Sequence, residues 1–256
     1  MIRCAVLGSP IDHSLSPLLH TKAYEFLGVE GSYERFRVDE SELGNFLEVH
    51  TPPEWRGFSL TMPLKERALE FTSEVDTQAS AAQAINTLVS AGSSWIGYNT
   101  DVDGFASLLS KLAFNSVAVL GAGGTARAAL VALRKYDLDP IVFRRNRDRD
   151  VSLLEANTRV ELRDWRSHNL AFQHDLLIST VPNSANIEVP IGQYETSSIL
   201  DALYYPWPPL LSKVKLVGRY FSGKDLLVAQ AVAQLKLFTG VSFEDAILSE
   251  FLMKEL

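Results

Sequence analysis

Residues 116–128 read SVAVLGAGGTARA: a β-branched run stops at a glycine turn and gives way to small and apolar residues. Val117 and Val119 suit a pleated, buried surface. Beyond the turn, Ala126, Ala129, Leu130 and Leu133 recur at helical spacing and predict a helix with one buried stripe. Gly121, Gly123 and Gly124 therefore sit between strand and helix, where glycines allow a tight turn and let backbone amides approach a pyrophosphate. A helix N-terminus adds unpaired N–H groups and a partial positive charge. With another strand predicted at residues 141–143, the turn has the context of a dinucleotide fingerprint. Gly121, Gly123, Gly124, Thr125 and Ala126 are the candidate cofactor contacts.

NAD-binding chains usually place Asp or Glu about 20 residues further on, at the end of the next strand, to grip the ribose 2′-hydroxyl. Here that place holds Arg144 and Arg145, with Arg147 close behind. A carboxylate would repel a 2′-phosphate, whereas guanidinium groups bind one bidentately. NADP is therefore expected over NAD, with Arg144, Arg145 and Arg147 as its ligands. A solvated charged loop is the competing reading of the same cluster.

The rest of the chain alternates short apolar runs with helix-period segments, the pattern of an α/β fold. Strands are expected at residues 2–7, 33–38, 58–61, 87–90, 175–179, 199–202 and 215–217. Helices are expected from Pro17 with Ser16 as N-cap, at 101–113, after Gly223 and from about Phe243. The two closing helices have no strand between them, which suggests that they pack away from the second sheet. The expected division is 1–101 with 224–256 as one domain and 102–223 as the dinucleotide domain.

Composition narrows the possibilities without naming a function. With 256 residues, 46% of them hydrophobic, the chain has the make-up of a globular protein and not of a disordered one. A net charge of −7, from 24 Lys+Arg against 31 Asp+Glu, argues against a general nucleic-acid binder. The lone Cys4 excludes an internal disulfide and a cysteine-rich zinc module. The first apolar run is broken by Ser9, Pro10 and Asp12, and no stretch nears the ~18 apolar residues of a membrane span. A cytoplasmic protein without membrane or nucleic-acid partners is expected.

Other residues carry chemistry only in combination. His13 and His20 are not spaced as metal ligands and have no cysteine partner, so no metal site is expected. Ser14 and Ser16 flank a helix start, where they suit capping or the holding of a carboxylate. Lys65 in GFSLTMPLK reads alone as a solvated charge, and Asp101 in GYNTDVDG as a helix cap. Gln230 and Gln234 share a helix side with Leu227 and Ala231, which suggests hydrogen bonding between helices.

Taken in order, these motifs resemble the shikimate dehydrogenase family. The resemblance is carried by GSPIDHSLSPLLH at 8–20, GFSLTMPLK at 57–65, AINTL at 84–88 and GYNTDVDG at 97–104. GAGGTARA at 121–128, LDALYYPWP at 200–208 and SGKDLLVAQAVAQLKLFTG at 222–240 complete it. It implies an N-terminal α/β substrate domain, an NADP-binding Rossmann domain and C-terminal helices returning to the first. It also implies NADPH-dependent reduction of 3-dehydroshikimate to shikimate, on the way to the aromatic amino acids. Lys65 and Asp101 match the catalytic pair; Ser14, Ser16, Thr61, Asn86, Tyr204 and Gln230 match substrate contacts. A monomer or homodimer is expected.

Some positions depart from the family pattern. Ser59 stands where Asn is usual, Arg144 where an Asn precedes the cofactor arginine, and Pro209 where Thr is common. Lys224 and Asp225 replace small or apolar residues. Ketone reduction needs a hydride on one side and a proton for the developing alkoxide on the other. A carboxylate neighbour favours the charged form of lysine, so Lys65 beside Asp101 is the expected proton donor. A quinate-oxidising relative that uses NAD, and a non-catalytic NADP-binding regulator, remain as alternatives. Ser16 and the arginine cluster speak against the first, and the presence of both Lys65 and Asp101 against the second.

Overall fold

The structure, a computed structural model, describes residues 1–256 other than 186, 188, 190–195, 215 and 217. The chain opens with β1 (Ile2–Gly8), α1 (Ser16–Leu27), β2 (Gly31–Arg37), α2 (Leu43–Val49), β3 (Gly57–Leu60) and α3 (Leu64–Arg67). β4 (Glu74–Val75), α4 (Thr77–Ala82), β5 (Thr87–Ala91), β6 (Ser94–Tyr98) and α5 (Thr100–Leu109) follow. Next come β7 (Val117–Leu120), α6 (Gly124–Leu133), β8 (Ile141–Arg144), α7 (Asp150–Ala156) and β9 (Glu161–Asp164). β10 (Leu176–Ser179), β11 (Ser198–Asp201), β12 (Tyr220–Phe221), α8 (Gly223–Thr239) and α9 (Asp245–Lys254) complete the order.

Among the described residues these strands make two sheets, ordered β2-β1-β3-β5-β6-β4 and β12-β11-β10-β7-β8-β9, and the protein is α/β. Internal contacts divide the chain into Met1–Gly104 with Leu227–Leu256, and Phe105–Leu226. Both divides fall inside continuous helices, α5 and α8, about one helical turn past the positions expected from sequence. A helix carries no local mark where its packing partner changes.

In the first unit, β1 is parallel to β2 and β3, and β5 and β6 add an antiparallel hairpin. Successive β1 side chains point to opposite faces, so one strand feeds two cores. Cys4 and Val6 join Leu19, Val228, Leu235, Phe238, Leu248 and Leu252, from α1, α8 and α9. Ala5 and Leu7 join Leu43, Trp55, Phe58, Leu64 and Trp95 on the other side. The C-terminal helices thus cover the first sheet, as expected. Arg56, just before β3, donates to the carbonyls of Leu237 (2.7 Å) and Phe238 (2.8 Å) and so caps the end of α8.

The second unit is a parallel sheet whose order, with β7 and β10 adjacent at its centre, is that of a doubly wound dinucleotide fold. Ala118, Leu120, Phe143, Phe172, Leu177 and Ile199 share one of its cores. The strand expected at 215–217 falls outside the described residues at 215 and 217; the pairing strand that is described is β12. Two further local expectations need correction. Ser16 is the first residue of α1, and Leu15 holds the cap position without a side-chain cap. The helix expected to reach Ala113 ends at Leu109. Among the described residues no helix is long and apolar enough to cross a membrane.

Candidate active site

Three backbone bonds gather the polar cluster of the first unit. The Leu60 N–H donates to the Asn86 carbonyl (2.7 Å), Asn86 N–H to the Tyr98 carbonyl (3.0 Å), and Ile85 N–H to the Lys65 carbonyl (2.7 Å). The end of β3, the short helix α3, the entry to β5 and the start of α5 therefore converge. Lys65 Nζ donates to Asp101 Oδ2 at 2.5 Å, with the two side chains only 18% and 8% exposed. Residues 36 positions apart are brought into an ion pair by tertiary structure.

Asp101 is held from its other side as well. Asn86 Nδ2 donates to Asp101 Oδ1 at 2.8 Å, and Asn86 Oδ1 accepts from the Thr100 N–H at 2.7 Å. The carboxamide of Asn86 thus satisfies an orphan N–H at the N-terminus of α5 while orienting the carboxylate in that helix's first turn. Thr100 Oγ1 accepts from Asn86 Nδ2 at 3.0 Å, and Gln230 Oε1 lies 3.5 Å from both groups. Gln230 Nε2 is turned back to the Leu227 carbonyl at 2.7 Å. Asn86, Thr100, Asp101 and Gln230 are all buried.

The substrate-contact candidates Ser14 and Ser16 lie in the loop after β1 and at the start of α1, both buried, with the Ser16 N–H 3.4 Å from Ser14 Oγ. The cap residue itself, Leu15, makes no side-chain cap. Thr61, at the end of β3, donates its N–H to the Leu7 carbonyl and packs its methyl where a Cβ on Gly8 would fall, so the ends of β1 and β3 touch. The structure thus gathers Lys65, Asn86, Asp101 and Gln230, with Thr61 on the adjoining strand end. Tyr204 belongs to the other unit, in the segment after β11 that Gly223 abuts.

A second layer of polar groups was not foreseen as functional. Thr87, Gln234, Ser59, Tyr33 and His20 form a buried hydrogen-bonded set behind Asn86. Burial pushes the His20 imidazole down to about 3, against a weaker opposing bond to Gln234, so the ring is neutral. It stacks on Tyr33 with centroids 4.0 Å apart. The available sequence signals were the helical spacing of Gln230 and Gln234 and the departure at Ser59.

In the second unit the glycine turn takes the geometry that its sequence implies. Gly121 has φ of +116°, and a Cβ there would strike Thr180 Oγ1, at the central point where β7 and β10 lie side by side. Gly123 is the N-cap of α6, and a Cβ on it would meet none of the described residues within 4 Å. A phosphate passing over the N–H groups of Gly124, Thr125 and Ala126 needs that space. The residues present therefore fit a dinucleotide pyrophosphate.

The arginine cluster requires a correction. Arg144 is buried, and its guanidinium makes a bidentate pair with Asp150 (2.7 and 2.9 Å) and donates to the Arg163 carbonyl (3.1 Å). The pair raises the guanidinium and lowers the Asp150 carboxyl relative to their ordinary values. Its donor fork is committed to the protein, so Arg144 is removed from the expected phosphate ligands. Arg145 and Arg147 are exposed, with Arg145 lying 5.2 Å over the Trp165 ring.

A doubly wound unit with a phosphate-binding turn, joined in one chain to a unit carrying a part-buried lysine–carboxylate pair, has the make-up of a dinucleotide-dependent oxidoreductase. Comparison with known proteins agrees. Residues 6–88 match the family described as "Shikimate dehydrogenase substrate binding domain". A shikimate dehydrogenase (NADP(+)) of Staphylococcus aureus is 30% identical over 251 residues, 93% of this chain and 92% of that protein. The crystal structure of Mycobacterium tuberculosis shikimate dehydrogenase is similar with a TM-score of 0.83, at 35% identity over 99% of this chain and 100% of that one. A Thermus thermophilus shikimate 5-dehydrogenase, solved in complex with NADP(H) and shikimate, gives 0.80 at 29% identity, with all of both chains covered. The chain belongs to the shikimate dehydrogenase family.

Proposed function

We propose that this protein catalyses the NADPH-dependent reduction of 3-dehydroshikimate to shikimate, with Lys65 as the proton donor. The activity and the cofactor are those of the family. The residue assignment is supported chiefly by one observation, the part-buried 2.5 Å pair between Lys65 and Asp101. NADPH, when bound, supplies the hydride.

The chain's own residues supply the remainder. Asp101 is anchored by Asn86 on one oxygen and holds the Lys65 ammonium with the other. An ammonium so fixed stabilises negative charge developing on the substrate oxygen and then donates its proton to that oxygen, leaving an alcohol. Partial burial strengthens both effects, because the local dielectric is lower than in bulk water. Ser14 and Ser16 are assigned to the substrate carboxylate, and Thr61, Asn86, Tyr204 and Gln230 to the ring substituents, on the family likeness. Gly121, Gly123, Gly124, Thr125 and Ala126 are assigned to the pyrophosphate. Arg145 and Arg147 are assigned to the 2′-phosphate.

The decisive measurement is consumption of NADPH with 3-dehydroshikimate, repeated with NADH and run in reverse with quinate. Lys65→Ala is expected to lower kcat by about 10² to 10⁴ at an unchanged fold, the scale of a lost general acid. Near-wild-type turnover in that variant would overturn the assignment.

A further inference from the structure

The polar groups behind Asn86 have an internal logic that fixes where every hydrogen lies. The Asn86 backbone carbonyl can only accept, so the Gln234 atom 3.3 Å from it is the amide nitrogen. That nitrogen also donates to Thr87 Oγ1 at 2.8 Å, and the Thr87 hydroxyl passes its own hydrogen to Asn86 Oδ1 at 2.8 Å. Gln234 Oε1 is then an acceptor. It takes the Ser59 hydroxyl at 2.9 Å, and Ser59 Oγ in turn accepts from the Tyr33 hydroxyl at 2.5 Å.

His20 Nε2 lies 3.2 Å from the same Gln234 oxygen and must carry a hydrogen there. Its Nδ1 is buried with no hydrogen-bond partner among the described residues, as the bare nitrogen of a neutral Nε2–H tautomer would be. Every donor points the same way, from Tyr33 towards Asp101. Hydrogen bonds in such a chain polarise one another, and a buried member left unsatisfied is costly. Gln234 supplies the carboxamide of this set, reaching in from α8 to Ser59.

We propose that Gln234 is a positioning residue for the reaction. The one-way chain of donors through Ser59, Gln234 and Thr87 fixes the Asn86 carboxamide, and through it the Asp101 carboxylate that holds Lys65. The proposal rests on the assignment of Lys65 and Asp101 as the catalytic pair.

The test compares Gln234→Met, Thr87→Val, the two combined, and the exchange Ser59→Asn with Gln234→Ser, which moves the carboxamide from helix to strand. Steady-state rates are measured with NADPH and 3-dehydroshikimate, and histidine tautomers by ¹⁵N NMR. Each single substitution is expected to lower kcat by about tenfold, the rate equivalent of one lost hydrogen bond. KM for 3-dehydroshikimate should stay within about twofold, since uniform binding is not removed. The combined variant should be no worse than the weaker single one, because the two residues act in series. The exchange should recover most of kcat. His20 should show the Nε2–H tautomer in the wild type and lose it in Gln234→Met.

A folded Gln234→Met enzyme with wild-type kcat, multiplicative losses in the combined variant, or an exchange without recovery overturns the proposal. If Gln234→Met does not fold, Thr87→Val and the exchange decide in its place: a wild-type kcat in the first, or no recovery in the second, overturns the proposal equally. Lys65→Ala is measured alongside. If it retains turnover, the catalytic assignment fails and takes the proposal with it. If it collapses while Gln234→Met does not, the donor chain alone fails.

Discussion

Two glycines separated by a single residue in the sequence have different jobs. Gly121 needs a positive φ and has Thr180 against it, so Gly121→Ala is expected to lower Tm as well as cofactor affinity. A Cβ on Gly123 would meet none of the described residues within 4 Å, so Gly123→Ala should leave Tm unchanged in a thermal melt and weaken NADPH in a binding titration. Equal effects of the two on Tm would contradict this division. The arginines separate in the same manner. Replacing exposed Arg145 and Arg147 by Ala should raise KM for NADPH more than for NADH, through loss of charge-assisted bonds to the extra phosphate. Sequence placed all three arginines at the end of β8, but it could not say that Asp150, six residues on, would claim the first of them.

Elements were legible where one periodicity ruled. β7 is a continuous apolar run, as are residues 4–7 of β1 and 176–178 of β10, because both faces are covered there, and α6 shows its stripe plainly. β6 was not read from the sequence because Gly97 occupies one of its buried positions, where Ile85 leaves no room for a Cβ. β9 was missed because ELRD is a charged edge strand, polar on the exposed side of the sheet for the reason that edges generally are. The return of the C-terminal helices gives α9 a measurable role. Leu252 is fully buried against the first sheet's core, and Leu252→Ala should cost about 2 to 5 kcal/mol in a denaturant titration.

At the scale of the whole molecule, each unit buries a titratable group whose effect on stability has its own sign. Asp201, at the end of β11, accepts from the Leu203 N–H and the Tyr220 hydroxyl, yet burial still pushes its carboxyl up to about 6 from 3.8. The folded state therefore binds the proton more tightly than the unfolded chain. Stability falls as pH rises from about 3.8 to about 6, and the cost is fully present above that window. Asp201→Asn should thus gain about 3 kcal/mol relative to wild type between about pH 3.5 and about pH 7, read from urea unfolding at both. A difference independent of pH would contradict the shift. His20 acts oppositely: its imidazole stays neutral when folded, so stability falls as pH drops below 6.5 towards about 3.

Local order along the chain was sufficient for the α/β class, the glycine turn and the preference for NADP, whereas Lys65 and Asp101 stood out as a pair only through the resemblance of the ordered motifs to a known family. These depend on backbone conformation, on period and on motif order, which neighbours in sequence already carry. The partner of Arg144, the donor chain behind Asn86 and the tautomer of His20 were beyond its reach. The first turns on a carboxylate six residues away that the turn after β8 brings to a buried guanidinium; the other two turn on buried polar groups that meet across tens or hundreds of residues, and burial makes such a group take the partner that folding brings to it.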